Sequence, residues 1–569
     1  WERDFSALEG RIGEITALKA TITNSAEDLA SGLKKLDEIG LMLERLYVYA
    51  RMGRDMDNAN GVYQALTDRG STLAVKISTA QSFLNPTLLK MDCKKLRSYL
   101  DECPEMSDYR FYIEDLLRSK EHILSDEEER LLSLAGDFSD GAHDIFTMLN
   151  NADLRFSKIE HDGKEYPLTH ASYIEYMQSE DRELRKKAYE AFYEEFKQHK
   201  NTIAATYATS VKKDVFYAKA RKFDSPIESA LFSDDVDVSV YDKLISDIHR
   251  HLPTMHRFVS LRKRLLGYDE LHMYDIYAPL VPEAGVKYTY EEAVKLNLEA
   301  MKPLGEDYME VFSSAFRDGW IDVFENEGKT TGAYSWGAYG THPYVLLNHR
   351  DDLDSVFTIA HEMGHAMHSY YSNKTQPYAT SGYAIFVAEV ASTVNEILMT
   401  KYLLRTVKDK KVKRYVLNHY LDQFRTTVVR QTMFAEFEKI SHEMALKGEP
   451  LTVDELSRVY GELNAKYHGP DMKEDDIICY EWMRIPHFYT AFYVYKYATG
   501  ISCAIDIASR ILAGEEGLVE KYINMLKMGG SKKSLDILKT VGIDLEDSRT
   551  YENALKFYKN DIEKLEELI

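Results

Sequence analysis

The sequence predicts a mainly α-helical protein with one small antiparallel β-sheet. Three observations support this fold class: apolar residues recur at helical spacing along most of the 569-residue chain, strand-like segments are few and clustered, and no low-complexity tract interrupts the pattern. With 44% apolar residues, the chain can bury a full core without disulfide bonds. At roughly 150 residues per domain, its length fits about four domains or one large body with an appended module.

The helices are predicted from amphipathic stripes. Within residues 36–49, Ile39, Leu43, Leu46 and Tyr47 fall on one face at steps of three and four residues. Similar stretches recur at 26–36, 60–83, 127–135, 181–198, 290–301, 411–446 and 504–526.

Strand-like segments cluster between residues 320 and 348. Residues 320–324 lead through the turn-rich sequence ENEGK into residues 330–336, which predicts a β-hairpin. Residues 342–348 form a short apolar and aromatic run that predicts a third strand. Earlier in the chain, residues 150–172 carry turn residues that indicate a domain boundary or a β-turn insertion.

Charge and cysteine content exclude several classes of protein. The 71 Lys and Arg residues against 93 Asp and Glu give a net charge of −22, which disfavours a general nucleic-acid binder. The four cysteines have no CxxC spacing, so neither a cysteine metal site nor a disulfide framework is expected. No stretch approaches the ~18 consecutive apolar residues of a membrane span, and no basic-then-apolar leader follows Trp1. These features predict a cytoplasmic protein without membrane partners.

One motif carries the chemistry, an HExxH pattern that reads HEMGH at residues 361–365. Positions four apart on a helix point the same way, so both imidazoles can bind one metal ion at about 2.1 Å. Glu362 then lies where it can take a proton from water held by the metal. The pattern therefore predicts a catalytic zinc site.

The neighbours of the motif predict a buried helix, because residues 354–370 are largely apolar around it. Asp352 or Asp354 is placed to cap the start of this helix. Gly364 removes a side chain where another element can approach closely, and strand 342–348 is the candidate for that element.

A catalytic zinc needs a third protein ligand and one open position. The metzincin pattern is absent, because its glycine and histidine positions hold His368 and Tyr371. His368 lies too far along the helix to share the ion and is expected to have a packing or supporting role. Residues 386–398 predict another apolar helix with a polar stripe that contains Glu389 and Glu396. Since a buried carboxylate is costly unless it is paired or metal-bound, Glu389 is the candidate third ligand and Glu396 the candidate that orients a ligand histidine.

These motifs resemble those of the oligoendopeptidase F branch of the thimet-oligopeptidase-like metallopeptidases. The resemblance rests on HEMGHAMHSYY followed by FVAEVASTVNE, and it includes residues 204–233, 331–350 and 485–500. The resemblance is clear from about residue 200 onwards. Before that residue it is limited to generic helices. The implied organisation is an N-terminal helical domain at 1–190 and a catalytic zinc-peptidase domain at 191–569.

The resemblance also implies a shape and a ligand set. A clam-like helical body with a deep central cleft is expected, and short oligopeptides are the implied substrates. His361, His365 and Glu389 would bind one zinc ion per chain, and Glu362 would be the general base.

The segment 485–500 is rich in histidine and tyrosine. Members of the family use such side chains to stabilise the oxyanion of peptide hydrolysis, which assigns this role to His487 and a nearby tyrosine. The candidates are Tyr489, Tyr493 and Tyr495. Tyr489 and Tyr493 are four residues apart and are expected to share a helical face.

Together these features predict a zinc-dependent endopeptidase that cleaves internal bonds of short oligopeptides. Strand 343–348 is expected to pair with the peptide backbone, with His342 and Tyr344 as substrate contacts. The nearest alternative is a peptidyl-dipeptidase or a carboxypeptidase of the same superfamily, and a remote one is a non-enzymatic helical peptide-binding protein. The sequence leaves cleavage preference and oligomeric state open.

Overall fold

A computed structural model describes residues 1–281 and 286–569, and within these ranges the mainly α-helical prediction is confirmed. Contacts divide the chain into two compact units of three segments each. Unit 1 comprises Trp1–Glu121, Val286–Met399 and Arg510–Gly542, and unit 2 comprises His122–Gly285, Thr400–Ser509 and Ile543–Ile569. The domain boundary predicted after residue 190 falls inside unit 2 and stays a prediction. Among the helices of the described ranges, none combines the length and the hydropathy needed to cross a membrane.

Unit 1 has a helical core to which the predicted stripe contributes. Ile39 and Leu46 are buried with Leu8 and Ile77, and Leu43 packs against this cluster. The helices of this unit are α1 (Glu2–Gly10), α2 (Ile12–Leu18), α3 (Ala26–Met56), α4 (Gly61–Gln81), α5 (Leu84–Leu89), α6 (Cys93–Glu102), α7 (Arg110–Arg118), α15 (Tyr290–Ala300), α16 (Glu306–Ala315), α17 (Leu353–Thr375), α18 (Tyr378–Ser381), the first part of α19 (Ile385–Thr406), α24 (Leu518–Leu526) and α25 (Ser534–Lys539).

Unit 2 is also helical and buries several charged groups. The Glu481 carboxylate, for example, is paired with Arg430 at 2.6 Å and with Arg484 at 2.7 Å. Its helices are α8 (Asp126–Ser139), α9 (Gly141–Met148), α10 (His170–Met177), α11 (Arg182–Gln198), α12 (Lys200–Ala220), α13 (Pro226–Phe232), α14 (Val238–Leu266), α20 (Lys410–Phe424), α21 (Arg430–Lys447), α22 (Val453–His468), most of α23 (Tyr495–Leu512) and α26 (Arg549–Leu568).

Two of the predicted helical stretches contain a break. The stretch 411–446 is interrupted by a π-helical turn at Arg425–Val429. The stretch 504–526 is interrupted between α23 and α24, where Gly514 and Gly517 have positive φ angles of 76° and 71°. Apolar spacing continues across both breaks, so the periodicity alone does not reveal them.

The predicted three-stranded sheet is present in unit 1, but its topology differs from the prediction. The strands are β3 (Ile321–Phe324), β4 (Tyr334–Trp336) and β5 (Tyr344–His349), in the order β3-β5-β4. β5 is parallel to β3 and antiparallel to β4. The purely antiparallel sheet and the hairpin between residues 320–324 and 330–336 were therefore wrong predictions.

The segment between β3 and β4 explains this strand order. Its backbone bonds to the end of α3 instead of folding back on β3. The Thr330 amide donates to the Asp55 carbonyl at 2.8 Å, and the Asn58 amide donates to the Gly328 carbonyl at 2.7 Å. These contacts carry β4 away from β3, and β5 fills the space between them.

A second, two-stranded sheet lies in unit 2 within residues 150–172. Strands β1 (Ile159–His161) and β2 (Lys164–Tyr166) are antiparallel. Asp162 and Gly163 between them have positive φ angles of 49° and 72°, which is the backbone of a primed hairpin turn. The β-turn insertion, one of the two alternatives for this segment, is thus present.

Candidate metal centre

The HExxH motif lies within α17, a 23-residue helix that is largely buried. Asp352 caps its start as predicted, because its carboxylate accepts a hydrogen bond from the Ser355 amide at 2.7 Å. His361 and His365 lie one turn apart on the same face, and their Nε2 atoms are 3.1 Å apart. The helix thus directs two imidazole nitrogens to one point.

α19 packs directly on α17 at Gly364. A Cβ atom at this position would lie 2.5 Å from the Cα atom of Ser392 and 2.8 Å from the carbonyl oxygen of Ala391. Both distances are too short for any residue with a side chain, so only glycine permits this approach of the two backbones. The neighbour predicted for Gly364, strand 342–348, was wrong, because that neighbour is α19.

The close approach brings Glu389, one turn before Ser392, to the two histidines. Its Oε2 atom lies 3.7 Å from Nε2 of His361 and 3.9 Å from Nε2 of His365. Ligand atoms at the corners of a tetrahedron, each about 2.1 Å from a zinc ion, are about 3.4 Å apart. The three observed separations bracket this value, so the donor set fits a metal ion.

Two further hydrogen bonds orient the imidazoles. Glu396 accepts a hydrogen bond from Nδ1 of His361, the contact predicted from the polar stripe. His365 donates to the backbone carbonyl of Ala388. These bonds direct Nε2 of both rings to the same point, where one cation could bind both nitrogens.

The same surroundings shift the pKa values of both histidines. Burial lowers the pKa of His365 to about 3. Burial also disfavours the charged form of His361, but the hydrogen bond and charge of Glu396 outweigh it and raise the pKa of His361 to about 9. In the metal-free protein, His361 is therefore protonated on both ring nitrogens near neutral pH. A metal ion that binds Nε2 must displace the proton on that nitrogen.

Glu362 is buried beside the histidines and accepts a hydrogen bond from the backbone amide of Ser335 in β4. Burial is the main cause that raises its pKa, to about 7. Its Oε2 atom has no hydrogen-bond partner among the described residues. A carboxyl group with a pKa near neutrality can both accept and release a proton.

The position of β5 changes the expected path of a peptide. Both edges of β5 are hydrogen-bonded, to β3 and to β4, so the prediction that residues 343–348 pair with a peptide was wrong. Within the described sheet, β4 is the edge strand next to Glu362.

The His342 ring stacks on Trp320 and lies 4.4 Å from the Tyr344 ring. The roles of His342 and Tyr344 in substrate binding stay predictions.

His368 is buried on α17 and stacks on the ring of Tyr383, with 3.7 Å between the ring centroids. Burial lowers its pKa to about 3, so the imidazole is neutral. This is the packing role expected from the sequence.

The histidine and tyrosine residues near the C-terminus do not share one helix. Pro486–Tyr489 is a 3₁₀ turn, and α23 begins only at Tyr495. Phe492 between them has a φ angle of 57°, which interrupts helical geometry. The expected helical face shared by Tyr489 and Tyr493 was therefore wrong.

Accessible aromatic side chains cluster around His487 in unit 2. The His487 ring is 6.4 Å from the Tyr493 ring and 6.0 Å from the Tyr497 ring. Partial burial, and then the charge of Arg430, lower the pKa of His487, which keeps it neutral. Tyr497 was not among the residues proposed from the sequence, although its spacing of four from Tyr493 is a signal that would have found it.

The other two candidate tyrosines are buried. The Tyr489 hydroxyl is 2.8 Å from Oγ1 of Thr206, and the Tyr489 ring stacks on Phe146. Tyr495 is fully buried. The catalytic roles of Tyr489 and Tyr495 stay predictions, which this burial disfavours.

A second group of possible metal ligands is His161, Asp162 and Asp181 in unit 2. Its geometry is that of a hydrogen bond, because Nε2 of His161 lies 2.6 Å from Oδ2 of Asp181. Asp181 also caps α11 by accepting hydrogen bonds from two backbone amides. These contacts explain why the His161 and Asp181 side chains lie close together, so their proximity does not by itself indicate a metal ion.

Comparison with known proteins gives matches along the whole chain. The profile of peptidase family M3 matches residues 175–557, and the profile of Oligopeptidase F matches residues 88–156. Oligopeptidase PepF of Bacillus subtilis is 44% identical, over 100% of this chain and 85% of that protein. An oligoendopeptidase F homolog of Lactococcus lactis is 39% identical, over 100% of this chain and 95% of that protein. The crystal structure of oligoendopeptidase-F from Enterococcus faecium is 38% identical with a TM-score of 0.77, over 100% of this chain and 98% of that one.

Replacing Gly364 with alanine tests the contact between α17 and α19. The added methyl group would overlap the Ser392 backbone, so the helices must separate and Glu389 must move away from the histidines. We expect Gly364→Ala to lower the free energy of unfolding of metal-free protein by about 1–3 kcal/mol. Metal affinity, measured by competition with a chelator, should fall as well.

Gly13→Ala is the matched control, because Gly13 lies within α2 with open space around its Cα. Alanine there should leave metal affinity unchanged and raise the free energy of unfolding by about 0.5–1 kcal/mol. Unchanged stability and metal affinity in Gly364→Ala would contradict the close contact.

Proposed function

The chain belongs to peptidase family M3 and is a metalloendopeptidase, and we propose that it uses one zinc ion to hydrolyse internal peptide bonds of short oligopeptides. The observation that carries this proposal is the convergence of Nε2 of His361, Nε2 of His365 and Oε2 of Glu389, at separations of 3.1, 3.7 and 3.9 Å. Two imidazoles and one carboxylate are a donor set that catalytic zinc favours.

The three ligands would hold the ion and leave one position open for water or substrate. When bound, zinc polarises the scissile carbonyl and lowers the pKa of water. Glu396 fixes the His361 ring so that its Nε2 lone pair faces the ion, and the Ala388 carbonyl does the same for His365.

Glu362 is proposed as the general base and then the general acid. Its carboxylate takes a proton from the attacking water, and the resulting carboxylic acid gives that proton to the leaving amine. The Ser335 amide supports this role because it fixes one carboxyl oxygen and leaves Oε2 without a partner among the described residues.

β4 is proposed as the strand that pairs with the substrate. An extended peptide would add to its outer edge through backbone hydrogen bonds, which gives affinity with little dependence on side chains. Its support is the position of Ser335, which belongs to this strand and also bonds to Glu362.

His487 and Tyr493 are proposed to donate hydrogen bonds to the oxyanion. Their support is accessibility: neither side chain is buried, whereas Tyr489 and Tyr495 are buried in unit 2. The neutral imidazole of His487 can donate through its protonated nitrogen.

The general-base role is tested with Glu362→Gln. We expect this variant to retain one zinc per chain, because Glu362 is not a proposed ligand, and to lose about 10²-fold or more in kcat on a blocked peptide. Zinc content by elemental analysis and kcat by chromatography of the products check this. Glu310→Gln, an exposed site on α16, is the matched control and should behave as wild type. Turnover near the wild-type rate in Glu362→Gln would remove the proposed mechanism.

The choice of tyrosine is tested with two Tyr→Phe variants. Tyr493→Phe should lower kcat by about 10-fold or more without changing thermal stability, because an accessible hydroxyl is lost. Tyr489→Phe should instead lower the free energy of unfolding by about 1 kcal/mol, because it leaves Thr206 without its partner hydroxyl. The opposite pattern would assign the oxyanion role to Tyr489.

A further inference from the structure

Helix α21 of unit 2 packs against the segment that carries His487 and Tyr493, the two proposed oxyanion donors. Phe488 follows His487 in the chain and is buried, and its ring centroid lies 5.1 Å from that of Phe437 on α21. His487 itself is exposed. The position of its imidazole therefore depends on how its neighbour packs against α21.

Glu438, the next residue of α21, holds the other end of this segment. Its side chain is fully buried, and its Oε1 atom accepts a hydrogen bond from the Phe492 amide at 3.1 Å. Phe492 precedes Tyr493 and has a φ angle of 57°, a conformation that residues with a side chain rarely adopt. Such a conformation persists only where the surroundings hold it. Here the bond to Glu438 and the contact of the Phe492 ring with His442, at 4.6 Å between centroids, hold it in place.

A carboxyl group at position 438 costs stability. Burial raises the pKa of Glu438 well above its usual range, although the Phe492 amide acts in the opposite direction. The Oε2 atom has no hydrogen-bond partner among the described residues, and an unsatisfied buried polar atom destabilises a fold. A methionine is of similar size and carries no such cost. The carboxyl group is therefore better explained by its bond to Phe492 than by the stability of the core.

The backbone at Phe492 determines where the Tyr493 side chain points, because the φ and ψ angles of one residue set the direction of the next. The Tyr493 ring lies 6.4 Å from the His487 ring and 5.5 Å from the Tyr497 ring. In the proposed function, on which this inference rests, Tyr493 and His487 donate to the same oxyanion. We propose that Glu438 is a positioning residue, which acts through the Phe492 amide to keep the Tyr493 hydroxyl in place.

The test replaces Glu438 with methionine, aspartate or glutamine in the zinc-loaded enzyme. Methionine removes the acceptor, aspartate withdraws it by one methylene group, and glutamine keeps a neutral acceptor at the same distance. Thr432→Val is the matched control, because Thr432 is buried on the same helix and its hydroxyl donates to the Val428 carbonyl at 2.7 Å. Circular dichroism and thermal unfolding check that each variant is folded.

We expect Glu438→Met and Glu438→Asp each to lower kcat on a peptide blocked at both ends by about 10-fold, with KM changed by less than about two-fold. Glu438→Gln should keep kcat within about two-fold of wild type. Thr432→Val should keep the wild-type kcat whether or not its thermal stability falls. Zinc affinity should be unchanged in all four variants, because the proposed ligands lie in unit 1.

A double variant separates positioning from a general loss of structure. If Glu438 acts through Tyr493, Glu438→Met should lower kcat no further in a Tyr493→Phe background. A further loss of about 10-fold in that background would overturn the positioning role. So would a wild-type kcat in Glu438→Met and Glu438→Asp, or a loss in Glu438→Gln as large as that in Glu438→Met. A wild-type kcat in Tyr493→Phe would overturn it as well, since there would be no donor for Glu438 to position.

The zinc-dependent reaction has a separate test in the same experiment. Each of these results leaves it standing as long as a chelator abolishes hydrolysis by the wild-type enzyme. Hydrolysis that survives the chelator would instead contradict the proposed function, so the two failures are distinguishable.

Discussion

The backbone contact between α17 and α19 at Gly364 is the constraint on which the candidate metal centre depends. The HExxH helix supplies two imidazoles by itself, but the third donor comes from a helix more than twenty residues later in the chain. The side-chain amide of Asn395 on α19 also donates to the Ala360 carbonyl of α17 at 3.1 Å, and both groups are buried. The glycine sets the distance between the helices, and this hydrogen bond fixes their register. Glu389 and Glu396 then fall on opposite sides of the contact point, one towards Nε2 and the other towards Nδ1 of His361.

The buried charges explain why this arrangement favours a cation. Three carboxyl groups and two imidazoles share one partly dry site, and burial acts against every charged form. Without a metal, the group keeps a proton on His361 and raises the pKa of Glu362 to about 7. A divalent ion placed among the three donors would compensate the carboxylates and satisfy both Nε2 lone pairs at once. We therefore expect metal binding and the protonation of Glu362 to be coupled through one electrostatic network.

Much of the candidate metal centre could be predicted from the sequence, because the patterns that indicate it each lie within a single helix. HExxH spacing places two histidines on one helical face. The polar stripe with Glu389 and Glu396 can be recognised in the sequence because the rest of that helix is apolar. The sheet order was not predictable, since it depends on hydrogen bonds between the 328–330 segment and α3, far away in the sequence. The neighbour of Gly364 was missed for the same reason. The helical face expected for Tyr489 and Tyr493 was wrong because a single left-handed residue between them, Phe492, breaks the helical spacing.

The central claim is that His361, His365 and Glu389 bind one metal ion, and anomalous X-ray scattering at the zinc edge tests it most directly. A crystal of the protein grown with zinc should show one strong anomalous peak within about 2.0–2.2 Å of Nε2 of both histidines and of a Glu389 carboxylate oxygen. A peak at His161, Asp162 and Asp181 instead, or no peak near α17 in protein that hydrolyses peptides, would contradict the account.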